Sequence, residues 1–366
     1  MKRKAVIISG GFGTRLAPRT TTTPKQFQDL LGSGRSMIQL TAERLHPLAG
    51  NDITVVTNGV QARWVGEQLP SAHLVLEPVA RNTAPAIGLA AIEMEPDDIM
   101  MVFPADHVFK DEQALCERLH YAAELAAERD ALVTIGIVPT HPHTGLGHIE
   151  RGAAIDEARG AFQAARFVEK PPLAEAKKYV ESGRFYWNAG IFCWSAGRFL
   201  RSLAEHAPAM HQGLLAIRDG GDVSRLFPAL PNLSVDYALM ERAAADTIVL
   251  AGQGLGWLDI GDWCVWGQAI GRDAAGNAVQ GRVELVECRD CIAYNDDPQV
   301  ALQLTGLHDL VVARAEGRLL ICPAAAAQQV GKSADLFAAC PNAVLNLGAQ
   351  DVQVVRGAAG VAVSGV

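Results

Sequence analysis

Short, mainly apolar runs alternate with longer amphipathic segments over the first part of the chain. The runs lie at residues 6–8, 52–57, 74–76, 98–103 and 131–138. Runs of this kind are typical of parallel strands that are buried on both faces. The segments between them, such as 36–48 and 112–129, place apolar residues at helical spacing. This alternation predicts an α/β domain with a doubly wound, mainly parallel sheet.

The pattern changes beyond residue 273. Short strand-like runs now follow one another, separated by Gly, Asn and Asp. They lie at residues 281–287, 300–304, 310–313 and 318–321. We therefore predict a catalytic domain at 1–272 and a small β-rich domain at 273–366, with turns of a left-handed β-helix as one interpretation of the latter. The tail, 343–366, is too apolar to be disordered and is expected to pack on a neighbouring subunit.

Composition narrows the class of protein. The 366 residues are 49% hydrophobic and 20% charged, with a net charge of −8. This acidic balance argues against a nucleic-acid partner, because such binding depends on Lys and Arg contacts to phosphates. No apolar run is long enough to cross a membrane, and no export signal precedes the first strand, so we expect a cytoplasmic protein. The seven cysteines are expected to be reduced thiols, and Cys288 and Cys291 lack the second pair that a structural zinc site needs.

A glycine-rich loop directly follows the first apolar run. Gly10, Gly11 and Gly13 let backbone N–H groups approach phosphate oxygens, and Arg15 supplies positive charge. A dinucleotide-binding fingerprint would need a small residue where Leu16 stands, and no P-loop Gly-Lys-Ser/Thr sequence follows. The loop indicates a nucleoside triphosphate site, with Lys25 as a second cation. An ordinary tight turn is the alternative that the loop alone leaves open.

Polar residues follow two later strands of the predicted sheet. Asn82 and Thr83 are placed where a base or ribose is bound, and either could instead cap the next helix. Asp106 is a candidate Mg²⁺ ligand, because hard oxygen ligands suit that ion, and a turn-forming Asp is the alternative. His107 is interpreted as a turn histidine without a ligand role. Asp259 lies on a later turn and is the proposed partner of Asp106.

The middle of the chain carries candidates for a second substrate. The glycine-bearing loop 139–150 is interpreted as a substrate-binding loop, since its Pro and Gly residues break the spacing that a histidine metal site would need. Lys170 suits a phosphate and Glu169 suits sugar hydroxyls, and an exposed salt bridge is the alternative. Asn188 interrupts an aromatic strand, which indicates either a nearby ligand or a bulge in the sheet.

Taken together, the motifs resemble those of the nucleotide-sugar pyrophosphorylases, most closely the mannose-1-phosphate guanylyltransferases. The resemblance covers about residues 3 to 330. It rests on the ordered motifs GGFGTRLAP, PKQF, EPVARNTAPAI, FPADH, TGLGHIE, FVEKP, WNAGIF, DYALMER and GWLDIGDW. It implies a Rossmann-like nucleotidyltransferase domain with a mainly parallel mixed sheet and a β-rich C-terminal segment. It also implies that GTP and mannose 1-phosphate are converted to GDP-mannose and pyrophosphate, with Mg²⁺ as cofactor. A homo-oligomer, namely a dimer, is expected.

The resemblance also implies a role for each candidate. The catalytic residues would be Arg15, Lys25 and Lys170; the nucleotide-binding residues Gly10, Gly11, Gly13, Thr14, Asn82 and Thr83; the sugar-phosphate-binding residues Gly145, Gly147, Glu169 and Asn188; and the metal ligands Asp106 and Asp259. Many relatives have tyrosines where this chain has Leu146 and His148, and a small polar residue where it has Asp262, which leaves the sugar specificity open. Two alternatives remain: the same reaction with another base or sugar phosphate, and a catalytically silent sensor of nucleotide sugars.

Overall fold

A computed structural model describes residues 1–339, 344–346, 352–357 and 360–365. Its strands are β1 Arg3–Ser9, β2 Ile53–Asn58, β3 His73–Glu77, β4 Ile99–Pro104, β5 His107–Val108, β6 Leu132–Ile137, β7 His148–Asp156, β8 Ala161–Val168, β9 Phe185–Ser195, β10 Thr247–Ala251, β11 Leu258–Asp259, β12 Ala278–Gly281, β13 Val283–Val286, β14 Ile292–Asn295, β15 Ala301–Thr305, β16 Leu310–Ala315, β17 Arg318–Pro323, β18 Val344–Asn346, β19 Val352–Gly357 and β20 Gly360–Gly365.

The helices are α1 Met37–Ala49, α2 Ala62–Gln68, α3 Thr83–Ile92, α4 Glu112–Arg129, α5 Leu173–Ser182, α6 Ala196–His206, α7 Pro208–Arg218, α8 Val223–Leu226, α9 Trp263–Ile270 and α10 Ala334–Ala339. Short 3₁₀ helices lie at Thr14–Leu16, Lys25–Phe27, Phe227–Ala229, Ala244–Asp246 and Ala324–Ser333, and a π-helical turn at Asp236–Met240. Within the described residues, no helix is both long and apolar enough to span a membrane.

The chain forms two compact units. The first comprises Met1–Gly10, Gln39–Ala105 and Phe109–Trp257. The second comprises Gly11–Ile38, Asp106–Val108 and the residues from Leu258 onward. The second unit thus takes in the glycine-rich loop from Gly11 onward as well as the C-terminal strands. The predicted division between residues 272 and 273 stays a prediction from the sequence.

The first unit is built on one mixed sheet. Its strand order is β3-β2-β1-β4-β9-β6-β10-β8-β7. Strands β1 to β4 pair in parallel, as their apolar runs predict. Strand β9 is antiparallel to both β4 and β6, and β7 and β8 form an antiparallel pair. The α/β class and the mixed sheet are confirmed, and the sheet contains more antiparallel pairs than its mainly parallel description implied.

The core of the first unit explains why these segments fold as they do. Helix α3 is apolar around its whole circumference, and eight of its residues are buried. A helix of this composition is stable only in a protein interior. Trp194 of β9 and Phe199 of α6 are fully buried and stack with ring centroids 5.2 Å apart. The apolar strands and helices of the first unit therefore form its buried core.

The second unit contains two small sheets besides the pair β5–β11. Their orders are β12-β14-β16-β17-β18 and β13-β15-β20-β19. Successive strands from β12 to β16 alternate between the two sheets and pair in parallel with the next strand but one. The β-rich character is confirmed, whereas the left-handed β-helix is not, because the strands form two separate sheets. The predicted packing of the tail falls largely outside the described residues.

Candidate active site

Three polar side chains from separate stretches of sequence meet in the second unit. The Lys25 ammonium lies 2.7 Å from the Asp106 carboxylate and 3.5 Å from that of Asp259. It also donates a hydrogen bond to the Ile260 carbonyl oxygen at 2.9 Å. Strand pairing sets this geometry. Asp259 of β11 pairs with His107 of β5, and His107 is the residue that follows Asp106, so the two carboxylates are brought together. The site therefore holds a buried cation against two carboxylates.

The charges in this cluster stabilise one another. Burial alone would lower the pKa of Lys25, but the carboxylates of Asp106 and Asp259 outweigh it and raise the pKa. Burial would raise the pKa of Asp106, but Lys25 and His107 lower it below its ordinary value. Lysine and aspartate are therefore both charged at neutral pH. Such opposing shifts are common at functional sites, although structural ion pairs also produce them.

Gly13 is needed here for a steric reason. Its φ is +78°, which L side chains rarely adopt, and an added Cβ would lie 2.7 Å from Cγ of Lys25. The aliphatic stem of Lys25 thus packs directly on the loop backbone. The chain is held further by the Lys25 N–H, which donates to the Phe12 carbonyl oxygen at 3.2 Å. Gly11 of the same loop is exposed, and so is Thr14, which begins the following 3₁₀ helix.

The donor set of the cluster fits a hard divalent cation. Ligand atoms of Asp106, His107 and Asp259 all lie within 4.8 Å of one another. Carboxylate oxygens are the ligands that Mg²⁺ prefers, and the ammonium of Lys25 leaves the pair of carboxylates with one net negative charge. His107, interpreted from sequence as a turn residue without a ligand role, is instead a buried strand residue beside these carboxylates. Asp262 lies outside this group and caps α9, accepting from the Cys264 and Val265 N–H groups.

In the first unit, Glu169 and Lys170 form an ion pair. The Lys170 ammonium lies 2.9 Å from the Glu169 carboxylate, and the hydrogen bond between them raises the pKa of Lys170. The lysine side chain is 57% exposed, whereas that of Glu169 is 7% exposed. An added Cβ on Gly147 would lie only 2.6 Å from Glu169 Oε2, so a side chain there would displace this carboxylate. The structure thus brings two of the predicted sugar-phosphate residues, Gly147 and Glu169, together with Lys170.

Asn188 adds to this group and contacts Asp236, a residue to which the sequence analysis gave no role in the site. Its Nδ2 donates to Asp236 Oδ1 at 2.9 Å, and its Oδ1 accepts from the Gly190 N–H at 3.1 Å. The sheet register shifts between Thr134 and Gly136 on the neighbouring strand, so the bulge that was the alternative interpretation is also present. Burial, followed by repulsion from Glu169, raises the pKa of Asp236 to about 6.

Asn82 and Thr83 have structural partners. Asn82 has φ +68° and precedes α3, and its Oδ1 accepts from the Thr83 N–H at 2.9 Å. The Thr83 hydroxyl accepts from the Val235 N–H at 2.9 Å. The capping interpretation therefore describes their observed contacts. Their contact with a base stays a prediction.

Glu77 carries a buried carboxyl that the sequence analysis did not single out. It ends β3 and is 7% exposed, and burial raises the pKa of its carboxyl from an ordinary 4.5 to about 7. Within the part of the chain that the structure describes, no donor or cation pairs with this carboxylate. Its Oε2 would lie 3.7 Å from a Cβ added to Gly10, at the start of the glycine-rich loop. Val75 and Glu77 share one strand face, so alternation could have revealed its burial.

The three histidines of loop 139–150 form no metal-ligand cluster in the described residues. His141 and His143 pack against the ring of Trp187, with centroids 4.9 and 5.8 Å away. His143 Nδ1 accepts from the Gly145 N–H at 3.0 Å, which shapes the loop around that predicted residue. His148 is fully buried, and burial lowers the pKa of its imidazole. Six described cysteines, including Cys288 and Cys291, are free thiols.

Comparison with known families identifies a nucleotidyltransferase. Residues 4–271 match the family model described as Nucleotidyl transferase, and the chain belongs to that family. It is similar to the mannose-1-phosphate guanylyltransferase of Escherichia coli, with 36% identity over 350 residues that cover 91% of this chain and 73% of that protein. Xanthan biosynthesis protein XanB of Xanthomonas campestris pv. campestris (strain B100) is 39% identical over 334 residues, covering 86% of this chain and 69% of that protein.

A solved structure has the same fold over nearly its whole length. It is described as a mannose-1-phosphate geranyltransferase from Thermus thermophilus. It superposes with a TM-score of 0.84 at 30% identity, covering 92% of this chain and 99% of that one. The resemblance to mannose-1-phosphate guanylyltransferases that the motifs predicted is confirmed by these relatives.

Proposed function

We propose that the chain transfers the guanylyl group of GTP to α-D-mannose 1-phosphate, giving GDP-mannose and pyrophosphate. The observation that carries the proposal is the cluster of Lys25 with Asp106 and Asp259. It combines two hard carboxylates with a charged lysine whose stem packs on Gly13 of the glycine-rich loop. Relatives that cover most of the chain and are named mannose-1-phosphate guanylyltransferase support this substrate pair.

The second unit would bind the triphosphate. Gly11, Gly13 and Thr14 would present loop N–H groups to phosphate oxygens, and Arg15 and Lys25 would stabilise charge on the pyrophosphate as it leaves. Asp106 and Asp259 would hold Mg²⁺. When bound, this ion neutralises phosphate charge and favours attack at phosphorus. Release of Lys25 from Asp106 would let its ammonium turn toward the triphosphate.

The first unit would bind the sugar phosphate. Lys170 is exposed and supplies a point charge for the phosphate, while the Glu169 carboxylate that pairs with it can accept hydrogen bonds from sugar hydroxyls. Asn188 and Asp236 add a donor and an acceptor beside them. Gly147 lets the loop backbone approach the Glu169 carboxylate closely, and the Gly145 N–H donates to His143 Nδ1. The phosphate oxygen of mannose 1-phosphate attacks the α-phosphorus of GTP in line, so positioning and electrostatics dominate and no covalent enzyme intermediate is needed.

The base of the nucleotide would be selected by Glu77. Guanine presents two donors side by side, N1–H and the 2-amino group, and an ionised carboxylate accepts from both. Adenine presents an acceptor at N1, which would face the carboxylate unfavourably. The buried and unpaired state of Glu77 beside Gly10, within the described part of the chain, supports this assignment.

The test is pyrophosphate release across a matrix of four NTPs and several hexose 1-phosphates with Mg²⁺. We expect turnover with GTP and mannose 1-phosphate, and its loss in Asp106→Asn. Preference for another pair would replace the substrates but keep the reaction class. Release with no pair would favour the silent sensor of nucleotide sugars, although the retention of Lys25, Asp106 and Lys170 favours the enzyme. The cytoplasmic location, the dimer and the absence of a nucleic-acid partner stay predictions.

A further inference from the structure

A segment far along the chain contacts the arginine of the glycine-rich loop. Arg15 Nη1 donates to Gln328 Oε1 at 2.7 Å. Gln328 lies on the 3₁₀ helix Ala324–Ser333, within the C-terminal β-rich part of the second unit. Its amide nitrogen in turn donates to Asp262 Oδ2. One glutamine therefore links the loop arginine to a carboxylate.

The far end of this link is fixed. Asp262 is 3% exposed, and its other carboxylate oxygen accepts from the Cys264 and Val265 N–H groups at 2.7 and 3.0 Å. It is thus both the cap of α9 and the anchor of Gln328. These bonds fix the Asp262 carboxylate at the start of α9. The side-chain amide of Gln328, which donates to this carboxylate, is therefore held in one orientation.

Glycines bring two further backbone segments close to Arg15. A Cβ added to Gly261 would lie 3.0 Å from Nη2 of Arg15. A Cβ added to Gly331, on the same 3₁₀ helix as Gln328, would lie 3.1 Å from its Cγ. The arginine side chain therefore lies between the turn that carries Asp262 and the 3₁₀ helix Ala324–Ser333. A larger residue at either glycine would displace it.

The chemistry of the contact preserves the charge of Arg15. Gln328 is a neutral acceptor, and within the described residues no carboxylate forms an ion pair with Arg15. A guanidinium has five N–H donors in a rigid fork, so one occupied edge leaves donors free for a phosphate. We propose that Gln328, anchored by Asp262, is a positioning residue that orients Arg15 toward the polyphosphate of the nucleotide. This rests on the proposed role of Arg15 in nucleotidyl transfer.

The experiment compares Gln328→Met with Gln329→Met, a matched control at the neighbouring exposed glutamine. We measure kcat and KM for GTP and for mannose 1-phosphate, in the wild-type background and in Arg15→Ala. We expect Gln328→Met to lower kcat/KM for GTP by roughly tenfold or more, with KM for mannose 1-phosphate unchanged. In Arg15→Ala the same substitution should cause no further loss, and Gln329→Met should match the wild type in both backgrounds.

Two results would overturn the proposal. One is activity of Gln328→Met within twofold of the wild type. The other is an equal loss in both backgrounds, which would indicate a purely structural role. If Gln328→Met unfolds, Gly331→Ala must give the same dependence on Arg15, since its Cβ would meet that side chain. If the wild-type chain releases no pyrophosphate with any substrate pair, the proposed function fails separately. The affinity of the same Gln328 and Arg15 variants for Mg-GTP is then measured. If the two substitutions act independently on this affinity, the positioning role is wrong.

Discussion

Replacing Glu77 by Gln should make the free protein more stable at neutral pH and less able to select GTP. The folded-state pKa of about 7 lies above the ordinary 4.5, so folding favours the protonated carboxyl. Below the lower value both states are protonated and folding carries no penalty. As the pH rises from 4.5 to about 7, the unfolded state loses its proton more readily than the folded state, and the folded state is destabilised. The full shift corresponds to about 3 kcal/mol, of which roughly 2 to 3 develops between about pH 5 and pH 8.

The assay is urea unfolding of the wild type and of Glu77→Gln, each at about pH 5 and at about pH 8. Subtracting the two proteins at each pH cancels the titration of every other group. We expect the variant to gain about 2 kcal/mol relative to the wild type on going from the lower pH to the higher. Glu67→Gln is the control, because Glu67 is exposed on α2 and its replacement should give no such gain.

The functional half of this prediction runs in the opposite direction. Loss of a charged acceptor facing guanine should reduce the ratio of kcat/KM for GTP to that for ATP by about 10- to 150-fold. In the wild type, kcat/KM for GTP should rise with pH through about 7, as Glu77 ionises, and this rise should be absent in the variant. A variant that keeps the wild-type GTP/ATP ratio and pH profile would refute the assignment of Glu77, whatever its stability.

Three further substitutions test the two substrate-binding groups. Asp106→Asn should lower kcat roughly 100- to 1,000-fold at saturating substrates and weaken Mg²⁺ dependence; near-normal turnover would contradict the metal assignment. Lys170→Met should raise KM for mannose 1-phosphate much more than KM for GTP, and equal effects on both would argue against a phosphate contact. Gly147→Ala should likewise impair mannose 1-phosphate binding, because its Cβ would lie 2.6 Å from Glu169 Oε2, with the exposed-loop variant Gly59→Ala as a control that stays at wild-type activity.

The parallel half of the sheet was predictable because its strands are locally distinct. The mainly apolar runs at 6–8, 52–57 and 98–103 coincide with β1, β2 and β4, since strands buried on both faces are composed mostly of apolar residues. The direction of β9 was not predictable. It lies between β4 and β6, both antiparallel to it, and such pairing depends on partners distant in sequence rather than on its own composition.

The candidate site was predictable where a residue type alone limits the chemistry. Lys25, Asp106 and Asp259 come from three separate stretches of the chain. The motifs singled out each of them from sequence, and the structure shows that their side chains meet. Glu77 and Gln328 were missed for different reasons. Glu77 differs from a surface glutamate only by its burial, and Gln328 lies in an alanine-rich segment whose contact with the loop is created by tertiary packing.

The central claim is that mannose 1-phosphate attacks the α-phosphorus of GTP. The most direct measurement uses mannose 1-phosphate whose non-bridging phosphate oxygens are all ¹⁸O, with mass spectrometry of both products. The account predicts that GDP-mannose keeps every labelled oxygen, one of them in the bridge between its two phosphorus atoms, and that pyrophosphate is unlabelled. Label in pyrophosphate, or a nucleotide product without mannose, would contradict it.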